Sequence, residues 1–409
     1  MTRDMPRHPR LELRPEFPVL DTLRAVGALC VLTTHVAFQS GDYVRHGIVG
    51  ALFSRLDIGV ALFFALSGFL LARPYLARAA AGEPEPSTRH YYLKRFLRIY
   101  PVYFVTVVIA LTVIEENRGQ TDLLEWLRTL TLTDVFFVGR LPQGLTQMWS
   151  LSVEATFYLV LPALMWLVVG GRQRCFQPRK IAALLVLGVL FSCWWNGSLA
   201  GVVAGVTSGT PLLWLPAHLS WFMVGIGLAG LHVRHQLEPA SAVVGTLVAV
   251  CRMPGACWAA AAGLLLIAAT PLGGPILLLV ATPSQSVVKH LAYVAIAALV
   301  VATGVFAEPG SRYARAMSVP WLRHFGHISY STFCIHLVVL YLVRQLVHHE
   351  LFRGQGPLLW VLTVVGSLVV SEVLYRLVER PALRLKDRGP GSGRSAGQAK
   401  SATTTTTTR

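Results

Sequence analysis

LRAVGALCVLTTH, residues 23 to 35, is an apolar run with an arginine near one end and a histidine at the other. Whether such a run lies in water or in lipid decides the fold. The chain has 409 residues, 54% of them hydrophobic and 14% charged, with a mean hydropathy of +0.55, and so reads as a polytopic membrane protein. A net charge of +16 in a soluble chain would suggest nucleic acid. Here the charges sit between apolar runs, where they orient spans, and no nucleic-acid partner is expected.

About 20 apolar residues cross about 30 Å of hydrocarbon. Ten segments approach that length: 19–38, 57–76, 98–114, 149–169, 180–196, 212–231, 256–280, 288–306, 328–347 and 357–377. The seventh contains ATPLGGP at 269–275 and is expected to be broken there, or to be a span plus a re-entrant piece. With an inner N-terminus, about 27 of the 36 basic residues fall on the inner side and about 8 on the outer, the bias that cytoplasmic loops follow. The expectation is an all-α bundle of about ten transmembrane helices, multi-pass in the inner (cytoplasmic) membrane, with both termini cytoplasmic.

Residues 1–18 read as a cytoplasmic N-terminal segment, 19–386 as the transmembrane domain and 387–409 as a disordered cytoplasmic tail. The polar, Arg-rich start does not read as a secretory leader. Between the third and fourth spans, EENRGQTDLLEWLRTLTLTD suggests an amphipathic surface helix. Six scattered cysteines lack metal-site spacing and read as packing residues, and no metal or permanently bound cofactor is expected. No repeat, Walker loop or dinucleotide fingerprint is present, so chemistry would be done in the bundle.

Ionisable side chains inside spans are the candidates for that chemistry. Arg24 and His35 are eleven residues apart, about three turns plus 20°, which sets them on one helix face about 16 Å apart. His35 suits a general base; the alternative is a His hydrogen-bonded within the bundle. Arg24 has an alternative too, pairing with Asp21 one turn earlier. In the second span, DIGVALFFALSGFLL, Asp57 lies at the outer edge, and Ser67-Gly68 reads as a helix contact. Arg95 and Arg98 share a face at the mouth of the third span, where they suit phosphates, or else serve topology and lipid headgroups. In MWSLSVEATFYL, Glu154 has Ser150 and Tyr158 four residues to either side, and either orients a His from another span or is protonated and structural. In the ninth span Ser329 and His336 lie nearly on one face.

Together these stretches resemble the acyltransferase 3 family of bacterial integral membrane acyltransferases. Arg24 and His35 match its basic residue, ten intervening residues and His. GVALFFALSGFLL, the Arg95/Arg98 pair, MWSLSVEATFYL, ISYSTFCIH and VERPALR, with Glu379, Arg380 and Pro381, are similar to its later elements, in order over about residues 17–386. Ala61 departs from the acidic residue that many members carry there, and Asp57, one turn earlier, is a candidate substitute. The fused extracytoplasmic hydrolase-like domain of some members is absent from the sequence.

The resemblance implies transfer of an acyl group, commonly acetyl, from acyl-CoA as co-substrate to a hydroxyl of a carbohydrate, cell-envelope glycan or glycosylated metabolite. His35 would be the base and Arg24 its partner. Arg95 and Arg98 would contact the donor, with Glu154 and His336 as further site residues. The rival reading is a transporter of a small metabolite or glycan precursor that uses the same intramembrane His, Glu and Arg residues.

Overall fold

A computed structural model of the chain describes residues 11–13, 15–118, 122–170, 175–276 and 279–385. The expected tail at 387–409, and residues 1–10 of the N-terminal segment, lie outside the described residues. The helices that matter here are α1 (Pro18–Ser40), α2 (Ile58–Ala81), α3 (Thr88–Val113), α4 (Trp149–Val168), α5 (Pro178–Trp194), α6 (Leu215–Leu237), α7 (Ala242–Cys251), α8 (Pro254–Ala268), α9 (Pro283–Val305), α10 (Pro320–Leu346) and α11 (Gly356–Leu374). Seven of them, α1, α5, α6, α8, α9, α10 and α11, have proline in the first turn, where its fixed φ and missing N–H are harmless.

Nine helical stretches among the described residues are long and apolar enough to cross a membrane, and α7 with α8 qualifies as a tenth, bent by 71°. Large apolar side chains such as Val186, Leu187 and Leu190 stay exposed along these stretches, as a bundle facing hydrocarbon requires. The protein is a multi-pass membrane bundle. The surface helix expected between the third and fourth spans is found at Leu123–Leu130, capped by Asp122 and with Leu123, Leu124 and Leu127 exposed.

The bend in the seventh span falls elsewhere than ATPLGGP. Pro254 cannot continue α7 and holds Met253 out of the helical region, so the kink is at residues 252–253. At ATPLGGP the helix simply stops. The freed carbonyls of Ala268, Gly274 and Pro275 accept hydrogen bonds from the buried Arg55 guanidinium at 2.8, 2.5 and 3.3 Å.

Contacts between helix ends divide the bundle into a near end, where α1 begins, and a far end, where it stops. Thr22 donates to the Met317 carbonyl at 2.5 Å and Asp21 pairs with Arg323, so α10 starts beside the start of α1. At the far end Arg344 reaches Gln39 at 2.8 Å, and the amide of Phe352 donates to the Gln39 carbonyl. Helices α2 and α6 pack closest. A Cβ on Gly225 would sit 2.1 Å from the Ala65 carbonyl oxygen and one on Gly68 2.2 Å from that of Phe222, so only glycine fits at either place.

Candidate functional site

Helices α1, α2, α3, α4 and α10 enclose two cavities, one above the other. The near cavity is lined by Arg24, Arg95, Arg98, Ser67, Ser150, Glu154, Tyr158, Ser329 and apolar residues of α2 and α10. It meets a basic vestibule at the near end formed by Arg24, Lys94, Arg95, Arg98, His327 and Tyr375. The far pocket, the roomier of the two, holds His35 together with Gln39, Asp57, Glu116, Gln147, Trp149, Tyr341 and Arg344. Of the lining residues, Val60 and Phe333 alone belong to both.

Arg24 and His35 therefore occupy one helix face at two depths, and each opens into a different cavity. Arg24 makes the local pair with Asp21 at 3.2 Å and still lines the near cavity. His35 forms no hydrogen bond with another described residue. Its neighbour is His336, with ring centroids 5.3 Å apart. Nδ1 of His336 lies 2.8 Å from the Phe333 carbonyl, which can only accept, so Nδ1 carries the proton in the neutral ring. Its Nε2 is then a bare acceptor, buried and without a partner.

Glu154 is not brought to His35. Its Oε1 accepts from Ser67 Oγ and from Tyr158 OH, both at 2.6 Å, on the wall of the near cavity. Ser67, read from the sequence as a helix contact along with Gly68, is thus part of the site, and only Gly68 is the contact. Ser150 and Ser329 donate to carbonyls three residues back along the chain, Gln147 in the turn that leads into α4 at 3.0 Å and Gly326 of α10 at 2.7 Å, as hydroxyls in membrane helices commonly do.

Arg95 and Arg98 of α3 differ. Arg98 is ion-paired with the fully buried Glu379, which also accepts from Ser331 Oγ at 2.7 Å, and it lies over the Tyr330 ring at 5.5 Å. Among the described residues Arg95 packs on the face of Tyr158, at 5.8 Å, and its buried Nε has no hydrogen-bond partner there. Asp57 lies on the far pocket, bonded to Lys289 at 2.7 Å and to the Tyr293 hydroxyl, whereas Ala61 is wholly buried in packing. Tyr43, in the loop after α1, donates to the Thr34 carbonyl at 2.9 Å. Burial pushes its phenol well above the ordinary value, so it faces the far pocket as a neutral hydroxyl.

Four contributors went unread in the sequence: Ser67, Glu379 as the partner of Arg98, Phe333, and the Glu116–Tyr341 pair on the far pocket. Signals existed for three of them, since Ser67 lies in GVALFFALSGFLL, Phe333 in ISYSTFCIH and Glu379 in VERPALR, but none of these stretches names the partner.

With this geometry in view, comparison with known proteins is informative. Peptidoglycan O-acetyltransferase OatA of Listeria monocytogenes is 25% identical over 197 residues, 44% of this chain and 29% of that protein. A putative peptidoglycan O-acetyltransferase, YrhL of Bacillus subtilis, is 29% identical over 191 residues, 43% of this chain and 27% of its own length. The chain thus matches less than a third of each of these two relatives. Acyltransferase MdmB of Streptomyces mycarofaciens is 27% identical over 407 residues, 91% of this chain and 93% of that protein. No solved structure gives a significant match. The acyltransferase domain family matches residues 17–376, nearly all of the bundle, and the chain belongs to this acyltransferase 3 family.

Proposed function

We propose that the protein is a membrane O-acyltransferase that moves an acyl group, in the simplest case acetyl, from acyl-CoA to a hydroxyl of a glycan or glycosylated metabolite. The observation that carries the reading is the arrangement of the two cavities: guanidinium groups at the mouth of one, an unpartnered histidine in the other, and one helix supplying a residue to each. A polyanionic donor fits the first, and a hydroxyl-bearing acceptor fits the second, which carries aromatic and polar side chains suited to a sugar.

In this mechanism the near end faces the cytoplasm of a cell whose inner membrane holds the bundle. The donor's phosphates lie against Arg95, Arg98 and Arg24, and its thioester arm runs along the cavity past Ser67, Glu154 and Tyr158. His35 takes the proton of the acceptor hydroxyl as its oxygen bonds to the thioester carbonyl carbon. The C–S bond breaks, and the coenzyme A thiolate takes up the proton from the imidazolium, so no serine nucleophile and no permanently bound cofactor is needed. With substrates bound, His336 Nε2, unpartnered in the free protein, would accept from the His35 ring and so orient it, a role that Glu154, bonded to Ser67 and Tyr158 on the wall of the near cavity, does not fill.

The peptidoglycan relatives favour a glycan hydroxyl as acceptor, whereas the relative that matches over nearly its whole length is named only as an acyltransferase. Purified protein in nanodiscs, given labelled acetyl-CoA and candidate acceptors, tests the reading. Label on an acceptor supports it. In proteoliposomes, flux of acceptor without covalent change supports a transporter instead.

A further inference from the structure

Resting on that reading, we infer that Phe333, with Val60 and Phe63, forms an apolar partition between donor cavity and acceptor pocket that limits the acyl chain and keeps water from the thioester. The two cavities share only Val60 and Phe333. Phe333 is 8% exposed and meets the Phe63 ring edge to face, with centroids 5.9 Å apart and planes at 70°. Phe63 in turn is backed by Gly27 of α1, where an added Cβ would lie 3.3 Å from the Phe63 ring and 3.3 Å from the Gly59 carbonyl oxygen. The partition is therefore held from both sides: by α10 through Phe333, and by α1 through Gly27, less than one turn beyond Arg24.

Its position gives it a task. The Phe333 ring lies 6.0 Å from that of His336, which is 5.3 Å from His35, so the partition adjoins the histidine pair. A thioester entering from the near cavity has to displace the Phe333 ring for its carbonyl to reach His35. The acyl group then lies among Val31, Leu337 and Leu340 beyond the partition. While a bound donor waits in the near cavity and Phe333 is not yet displaced, the closed rings separate the polar far pocket from the donor channel, so water on the acceptor side does not reach the thioester.

One methylene in an apolar pocket discriminates about 10- to 200-fold in kcat/KM, so enlarging this passage should change donor choice measurably. The test uses purified protein in nanodiscs with acetyl-, butyryl- and hexanoyl-CoA. Each variant is normalised to its own acetyl transfer, and acceptor-independent hydrolysis of acetyl-CoA to acetate and free thiol is followed in parallel. Phe333→Ala should raise the hexanoyl-to-acetyl ratio about tenfold or more and increase the hydrolysis. Val60→Ala and Phe333→Leu, milder changes, should move both readouts in the same direction by about threefold and cover the case in which Phe333→Ala does not fold. Ratios and hydrolysis within twofold of wild type in all variants that retain transfer would overturn the partition while leaving the transferase reading intact. Absence of acetyl transfer by the wild-type protein would overturn the transferase reading itself.

Discussion

The near cavity and the far pocket differ in how far the ionisable group at the heart of each, Glu154 in one and His35 in the other, is already occupied. In the near cavity Arg24 has Asp21, Arg98 has Glu379, and Glu154 has Ser67 and Tyr158, so charge is held in fixed positions before any ligand arrives. In the far pocket His35 has only the neighbouring ring of His336. Preorganised charge suits binding of a polyanion, and an uncommitted base suits proton transfer. The eleven-residue spacing in α1 puts Arg24 on one cavity and His35 on the other, so in the proposed mechanism one helix would serve both tasks without either site neutralising the other.

The largest effect should come from the far pocket. A general base contributes about 10²- to 10⁴-fold, so His35→Ala should lower acetyl transfer by at least about a hundredfold. Donor affinity, read by calorimetry on protein in nanodiscs, should stay within about twofold because the phosphate-binding groups lie in the other cavity. A variant with near-normal turnover would remove the base assignment, and one that also lost donor binding would erase the separation between the cavities.

The near cavity should fail in the opposite sense. Arg95→Ala, which removes a guanidinium with no ion pair among the described residues, should raise the donor KM about tenfold with little change in kcat or thermal stability. Glu379→Gln should leave donor contacts in place yet destabilise the protein by about 3 kcal/mol, because Arg98 then sits without its buried counter-charge. Adding Arg98→Gln to Glu379→Gln should recover part of that loss in detergent thermal-shift measurements. Equal effects of Arg95→Ala and Glu379→Gln on KM would show that the two arginines are not divided in this way.

A stability change without a kinetic one is expected from Arg55, which lies away from the lining of both cavities. Arg55→Ala removes three hydrogen bonds from a charged group to main-chain carbonyls and should cost about 3 kcal/mol. Turnover per folded molecule should be unchanged. A selective loss of activity would tie the end of α8 to the far pocket.

These contrasts mark what could be read along the chain. Apolar length and the placement of Lys and Arg are local properties, so all ten expected spans overlap helices, the seventh only over its first part, and the motif residues of α1, α3 and α4 lie on cavity walls. Periodicity places a residue on a helix face but says nothing of the helix it meets. Glu379 is 281 positions from Arg98, and Ser67 is 87 from Glu154, so neither bond was legible. For the same reason Glu154 was expected beside His35. The kink before Pro254 escaped notice for a different reason: the glycine-rich ATPLGGP stretch is the stronger breaker, but it lies where α8 has already ended.

The smallest effects should separate three serines that look alike in sequence, each inside an apolar run and each on the near cavity. Ser150 and Ser329 direct their protons to carbonyls three residues back along the chain. Replacing either by alanine removes a bond whose carbonyl keeps its helical partner, so transfer should stay within about twofold. Ser67 directs its proton to Glu154. Ser67→Ala leaves that carboxylate with the Tyr158 hydroxyl as its remaining partner in the cavity, and loss of one hydrogen bond to a charged group corresponds to about a tenfold fall in kcat/KM for the donor. Combining Ser67→Ala with Glu154→Gln should be no worse than Glu154→Gln alone if the hydroxyl acts through the carboxylate. Additive losses would mean that Ser67 touches the donor directly, and the near cavity would then have a contact that is not preorganised by its own side chains.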